Sequence, residues 1–466
     1  MSWRTRKRAI VHRLELLRGQ SAYWVFAALV LVVTLTGGGA RADIESLILL
    51  RPVAALLLFA GLVDLQAAQF IRFRMIFGLY IVCVMLVTLS LIPLPPALWH
   101  SLPGHSLIRD IDHAAGLGDG WRPLSVEPVA TWNALFSLLV PGATLVWLAR
   151  MTREQRVRLL PLLIGVGALG AIIGLLQSIS GADSVLYFYS VTNASSAVGF
   201  FANRNHQAAF LACLFPMLAT YACAGLRTAE QATRRKWLAL AVGAALIPLI
   251  LVTGSRMGLL SGLIGLCSTV LIYRVPQSLI PKRRRILRFN PAYLYGSIFI
   301  ILLGLISFMT TRAQAINRLL GVDSGDDDRW SMWVPSWAML WKYFPFGSGA
   351  GSFVATFQTD EPGQVLVASY ANHAHNDFLE LAMTMGLPGL AGLALLFWIL
   401  GRDAMVIWRS RASVSASAIL ARAALAMAVI MLVSSITDYP LRTPFLAMIG
   451  VIALVWLEDG GDPEKG

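Results

Sequence analysis

Stretches of about 20 apolar residues, parted by short clusters of Lys and Arg, recur along the whole of this 466-residue chain. A helix of that length matches the ~30 Å hydrocarbon core of a bilayer, and a helix satisfies its backbone N–H and C=O groups internally where no water can. The chain is 57% hydrophobic and only 14% charged, with mean hydropathy +0.67. A soluble protein carries roughly 25% charged residues. The expected fold is therefore an all-α polytopic membrane protein. About twelve transmembrane helices are read with the usual window rule, near 22–39, 46–64, 75–94, 130–149, 158–178, 206–225, 237–253, 257–273, 292–310, 387–401, 417–436 and 444–457.

The basic residues orient these spans. With both termini cytoplasmic, the cytoplasmic segments hold Arg72 and Arg74, Arg150 to Arg158, Arg227 to Lys236, Lys282 to Arg288 and Arg402 to Arg411. The opposite loops hold a minority of the Lys and Arg, as the positive-inside rule expects. The net charge of +13 is thereby accounted for without nucleic acid as a partner; the partners expected at these surfaces are membrane lipids. Cys83, Cys213, Cys223 and Cys267 all fall in apolar segments without metal-ligand spacing and read as packing residues.

The outer side is uneven. A Pro- and Gly-rich loop near 95–129 carries Trp99, His100, His105, His113 and Trp121. A second, near 179–205, ends in Phe-Phe-Ala-Asn-Arg-Asn-His. The largest, 311–386, is rich in aromatic residues and has helix signals, so short ordered helices are expected in it. Three regions follow: 1–129 with the first helices and first outer loop, a core over 130–457 that includes the large loop, and a cytoplasmic tail over 458–466.

Within the large loop, His373-Ala-His375-Asn376-Asp377-Phe-Leu-Glu380 precedes an apolar run. Asp377 with Glu380 has the spacing of a capping box, and Gly386, Pro388 and Gly389 punctuate the far end of the helix it would start. His375 and Asn376 then stand before a helix N-terminus, where unpaired N–H groups and the helix dipole favour an anion and disfavour imidazolium. A neutral histidine beside an anion site is a base beside its substrate. His373-x-His375 with two carboxylates also admits a metal, but helical zinc sites space their ligands to share a face, and no metal or other cofactor is expected.

Arginines complete the pattern. Arg256, in Thr253-Gly-Ser-Arg-Met-Gly258, joins two spans with almost no loop. Arg204 lies between Asn203 and Asn205, and Arg442 follows Asp438-Tyr-Pro-Leu. Arg329 precedes Trp330, Trp333, Trp337 and Trp341, which share a helix face as an aromatic belt or a groove wall. Arginine is disfavoured on the outer side, and guanidinium suits phosphate through its planar fork. A convergence of Arg204, Arg256, Arg329 and Arg442 on a phosphate is expected. The Gly-rich run Phe346-Gly-Ser-Gly-Ala-Gly351 is neither a dinucleotide fingerprint nor a Walker loop and reads as a tight turn for close backbone approach.

His375-Asn376, nine residues and then Gly386-x-x-Gly389 resembles the signature loop of the bacterial O-antigen ligases, whose superfamily includes the O-antigen and exopolysaccharide polymerases. Gly254-Ser255-Arg256, Asp328-Arg329 with the Trp helix, and Asp438 resemble three further family positions, so the likeness covers about 130–457. The resemblance implies a GT-C-like glycosyltransferase of the inner membrane with a periplasmic active site, independent of metal. The donor would be a glycan on undecaprenyl pyrophosphate. The acceptor would be lipid A–core for a ligase, or a carrier-linked glycan for a polymerase. His375, Arg256, Arg329 and Asp438 would be catalytic; Arg204, Arg442, His373, Asn376 and Trp330 would bind substrate. Inversion is expected, since no paired carboxylates point to a covalent intermediate. Two rivals stand beside it: a polysaccharide transporter or flippase, for which Arg51 inside the second span is the main candidate, and a scaffold with no dependence on His375.

Overall fold

In the computed structural model, residues 21–275, 329–361, 363 and 371–460 are described, with only the backbone of 329–331. The described chain is mostly helical. Its helices are α1 (Ser21–Thr36), α2 (Leu47–Val63), α3 (Ala67–Arg72), α4 (Arg74–Leu89), α5 (Pro96–Trp99), α6 (Ser106–Ala114), α7 (Pro128–Ser137), α8 (Leu139–Arg150), α9 (Arg153–Val157) and α10 (Leu159–Ser180). There follow α11 (Arg204–Cys223), α12 (Ala229–Val252), α13 (Arg256–Ile272), α14 (Arg329–Tyr343), α15 (Phe353–Asp360), α16 (Asp377–Arg409), α17 (Ala416–Ser434) and α18 (Pro444–Gly460). Two-residue strands pair Pro93 with Pro123 and Leu94 with Arg122, closing the base of the first outer loop.

Each expected span among the described residues falls on helix, the one near 130–149 on the consecutive α7 and α8 and the one near 387–401 within α16; the one near 292–310 lies outside them. Among the described residues, six stretches are long and apolar enough to cross a membrane: 128–150, 153–180, α11, α12, α16 and α17. Helices α1, α2, α4 and α13 are apolar but shorter, at the low end of spanning length. The count of about twelve is therefore supported only in its coarser form, a multi-pass helical membrane protein.

Helix α11 is the axis of the bundle, with 94% of its apolar window buried. It packs against α10, α12, α13 and α17. Small residues permit the closest approach, which is how helices associate where lipid removes the hydrophobic drive between them. A Cβ on Gly258 of α13 would come within 2.4 Å of the Ala208 Cβ, and one on Gly265 within 2.5 Å of the Ala212 carbonyl oxygen. Between them, Ser261 Oγ lies 3.1 Å from Ser434 Oγ of α17.

The two ends of the bundle differ in chemistry. Asp459, near the end of α18, takes Arg72 Nη2 at 2.6 Å and Arg156 Nη2 at 3.0 Å, and Arg156 also donates to the Leu148 carbonyl. Arg402 bridges Asp403 and Glu458 at the same end. The candidate residues of the sequence lie at the other end of α18, about 25 Å away at 1.5 Å per residue. The Asp459 and Arg402 ion pairs thus stand at one end and the His-rich segment at the other.

The large-loop segment forms part of that second end. Helix α14 lays Met339 and Leu340 on Phe353, Phe357 and Met383, while Trp337 and Trp341 point outward. The Gly-rich run makes the expected close backbone approach: the Gly349 N–H donates to the Thr384 carbonyl, and a Cβ on Gly347 would sit 2.4 Å from the same oxygen. Gly386 is the facing kink, with φ 55° and ψ −145°. It interrupts α16 without ending it, so the expected short helix and the following span form one kinked helix of 33 residues.

Replacing Gly265 by Val should overpack the α11–α13 contact and cost about 1–3 kcal/mol. Gly262, whose added Cβ would meet only Ile250 at ordinary distance, should accept Val. Melting of the two variants in detergent checks this; equal melting temperatures would refute the contact as a packing determinant.

Candidate active site

Asp438 sits in the turn after α17 with 2% of its side chain exposed. Helix α11 begins beside it. Asn203 caps that helix by accepting from the Asn205 N–H, and both asparagines turn their amide nitrogens to Asp438 Oδ2, at 3.2 Å and 2.6 Å. The Tyr439 N–H donates to Oδ1. Two imidazoles approach the same oxygen: His206 Nε2 at 3.7 Å and His375 Nδ1 at 3.5 Å. Burial pushes the Asp438 carboxyl up, but the polar contacts and charge of His206 and His375 outweigh it and hold it well below the usual carboxylate range.

His375 reaches this carboxylate from a strained backbone, φ 49°, in the left-handed region. Asn376, not Asp377, is the helix cap: its Oδ1 accepts from the N–H groups of Phe378 and Leu379. Asp377 is the first helical residue, and its own N–H donates to the Ser435 carbonyl. The Glu380 N–H donates to the Asn376 carbonyl. The first N–H groups of α16 are therefore all satisfied, and the anion site expected there does not form.

Glu380 and Asp377 serve a different purpose. Glu380, 1% exposed, accepts from the Ala374 N–H, stands 3.1 Å from His373 Nδ1 and 3.0 Å from Arg442 Nη1. Asp377 accepts from Arg442 Nε at 2.8 Å and from the Ser435 hydroxyl. Arg442 is thus held by two carboxylates and clamps the His373–Glu380 segment onto the turn between α17 and α18. The Tyr439 ring lies among three imidazoles, with centroids 4.3 Å from His373, 5.0 Å from His375 and 5.3 Å from His206.

The structure brings His373, His375, Asn376, Asp438 and Arg442 into one cluster. Arg204 and Arg256 open neighbouring helices: Gly258, two residues after Arg256, touches Ala208, four residues after Arg204. Arg329 and Trp330 begin α14, and their side chains lie outside the described residues. Sequence reasoning singled out Arg204 in Asn203-Arg-Asn-His206 and missed its neighbours. The signal was present, as three hydrogen-bonding side chains opening an otherwise apolar helix, but nothing in the sequence tied them to Asp438 some 230 residues later. An ionised carboxylate against an imidazole orients the ring and stabilises the imidazolium formed when it takes a proton.

A carboxyl held below its unfolded value near 3.8 contributes stability above that value and loses it as the pH falls through the lower folded value. Asp438→Asn keeps an acceptor for the asparagines, so it should fold with a lower melting temperature at neutral pH. The gap to wild type should close only below about pH 4. A gap already closed at pH 6 in detergent melting would assign the effect to the histidines instead.

No curated protein matches the chain. Residues 240–394 match the family model described as O-antigen ligase. The matched segment contains Arg256, Arg329, the His373–Glu380 clamp and the Gly386 kink. Residues 240–394 are thus similar to the O-antigen ligase family, and that match supports a relation of this segment to the O-antigen ligase and polymerase superfamily.

Proposed function

We propose that the protein is a GT-C-like glycosyltransferase that moves a glycan from undecaprenyl pyrophosphate to lipid A–core on the periplasmic face of the inner membrane. The observation that carries this reading is the His375–Asp438 pair, whose histidine lies inside the family-matched segment and whose carboxylate follows it from the turn after α17, at the end of the bundle opposite the Asp459 cluster. His375 takes the proton of the acceptor hydroxyl as its oxygen bonds to the anomeric carbon. The bond from that carbon to the pyrophosphate breaks, and undecaprenyl pyrophosphate leaves with its electron pair. One displacement inverts the anomeric centre. Arg204, Arg256 and Arg329, each at the start of a helix, hold the pyrophosphate and stabilise the charge that develops there. Asp438 orients His375. Asn376 caps α16 and so fixes the histidine before it, and Arg442 acts through the clamp rather than on substrate. The chemistry draws on no metal and no cofactor.

A polymerase, with a carrier-linked glycan as acceptor, would use the same groups. His373 beside His375 favours that second reading, since the paired histidine is common in the wider superfamily. Reconstitution with a purified carrier-linked glycan, offered either lipid A–core or a second carrier-linked unit, separates the two by product.

His375→Ala should lose about 10²–10⁴-fold in initial rate per folded enzyme, the usual contribution of a general base. Arg256→Ala should lose roughly tenfold to a hundredfold, the worth of a charge-assisted contact of about 1.5–3 kcal/mol, and Arg256→Lys should recover part of it. Rates within a few-fold of wild type in nanodiscs for both alanine variants would return the reading to a transporter or scaffold.

Orientation is tested separately. In a cysteine-free background, a cysteine at the exposed Trp337 should label in intact cells, and one at the exposed Glu154 only after permeabilisation. The reverse pattern would place the histidines in the cytoplasm, where no flipped carrier presents its pyrophosphate.

A further inference from the structure

A cavity of about 430 Å³ lies beside His373, between α2, α7 and the Leu441–Pro444 turn. Its wall is mostly apolar, with Leu50, Phe136 and Val140, and three arginines reach it. Two are neutralised within the protein: Arg41 by Asp43 at 2.6 Å, and Arg442 by Asp377 and Glu380. Arg51 is not. Its Nη1 donates to Asn133 Oδ1 at 3.0 Å, its guanidinium lies 5.8 Å from the Phe136 ring centre, and its Nε is buried with no hydrogen-bond partner. No carboxylate pairs with it among the described residues. A snorkelling arginine keeps its head in water; this one lines a half-open, mostly apolar cavity with part of its head desolvated. A guanidinium in such a place is completed by an oxyanion, which its planar fork can bind at two points.

The surroundings say what carries that oxyanion. The outward faces of α2 and α7 expose Ile48, Leu49, Val129 and Trp132, as helices do toward lipid. Apolar walls around one charged group, reached between lipid-facing helices, fit the head of an amphiphile. We infer that the Arg51 cavity is a second anion subsite, distinct from the helix-start arginines, that takes the phosphate head of an amphiphilic acceptor. Its assignment to the acceptor rests on the transfer reaction proposed above; the subsite itself does not.

The test uses the full chain in phosphatidylcholine nanodiscs containing dioleoyl phosphatidate or dioleoylglycerol, or bathed in inorganic phosphate, with bound lipid counted by native mass spectrometry. Phosphatidate should be retained saturably and dioleoylglycerol should not. Arg51→Gln should weaken retention tenfold or more, with Arg51→Lys between. Val140→Trp, which fills the cavity and keeps the charge, should also expel phosphatidate. Equal retention of dioleoylglycerol, or retention unchanged in Arg51→Gln, overturns the subsite. Inorganic phosphate competing at the same concentration as phosphatidate overturns the amphiphile and leaves a free anion. In turnover, Arg51→Gln should raise the acceptor KM about tenfold and leave kcat and donor KM unchanged. A change in donor KM overturns the acceptor assignment. His375→Ala should bind phosphatidate normally, so failure of the proposed base and failure of this subsite are read separately.

Discussion

The Asp438 carboxylate is the point on which the outer end of the bundle turns. It is nearly inaccessible, so it is tolerable only while its charge is met by the asparagines that open α11, the backbone of Tyr439 and two imidazoles. Those partners come from three distant parts of the chain. Removing the carboxylate would strand several donors at once, and moving any of the three segments would strand the carboxylate. Placement of His375 is therefore tied to the register of the central helix, not to the flexibility of the loop that carries it.

A second layer of charge stands behind the first. Arg442 is divided between Asp377 and Glu380, and Glu380 also receives the Ala374 N–H and faces His373. This layer fixes the start of α16 from behind, while the Gly347–Gly351 turn fixes the Gly386 kink by direct backbone contact. Both arrangements consume hydrogen-bonding groups that a ligand could otherwise have used. Arg51, by contrast, meets no carboxylate among the described residues.

Most of the architecture was legible because its cause is local. An apolar run writes its own helix, and the expected spans agree with helices to within a few residues, the 229–252 helix and the kinked 377–409 helix apart. The Gly-rich turn was legible for the same reason, since a glycine there has few other uses. The site was legible in composition and not in wiring. Asn376 displaced Asp377 as cap because Asp377 had a stronger partner in Arg442, a residue 65 positions away. His206 went unnoticed because its partner is 232 residues distant. Spacing rules see three or four residues ahead; ion pairs between helices are invisible to them.

The cluster at Asp459 bears on how such a chain is made. Arg72 and Arg156 leave the ribosome 387 and 303 residues before the carboxylate that neutralises them. During that interval they are unpaired positive charges flanking the first inserted helices, which is the form in which a translocation machine reads orientation. Once α18 arrives they pair with Asp459, Arg156 fully buried and Arg72 at the edge of the cluster. With the Asp459 end cytoplasmic, as proposed above, the same side chains would act first as address and later as fastening, and the order of synthesis would keep the two uses from competing.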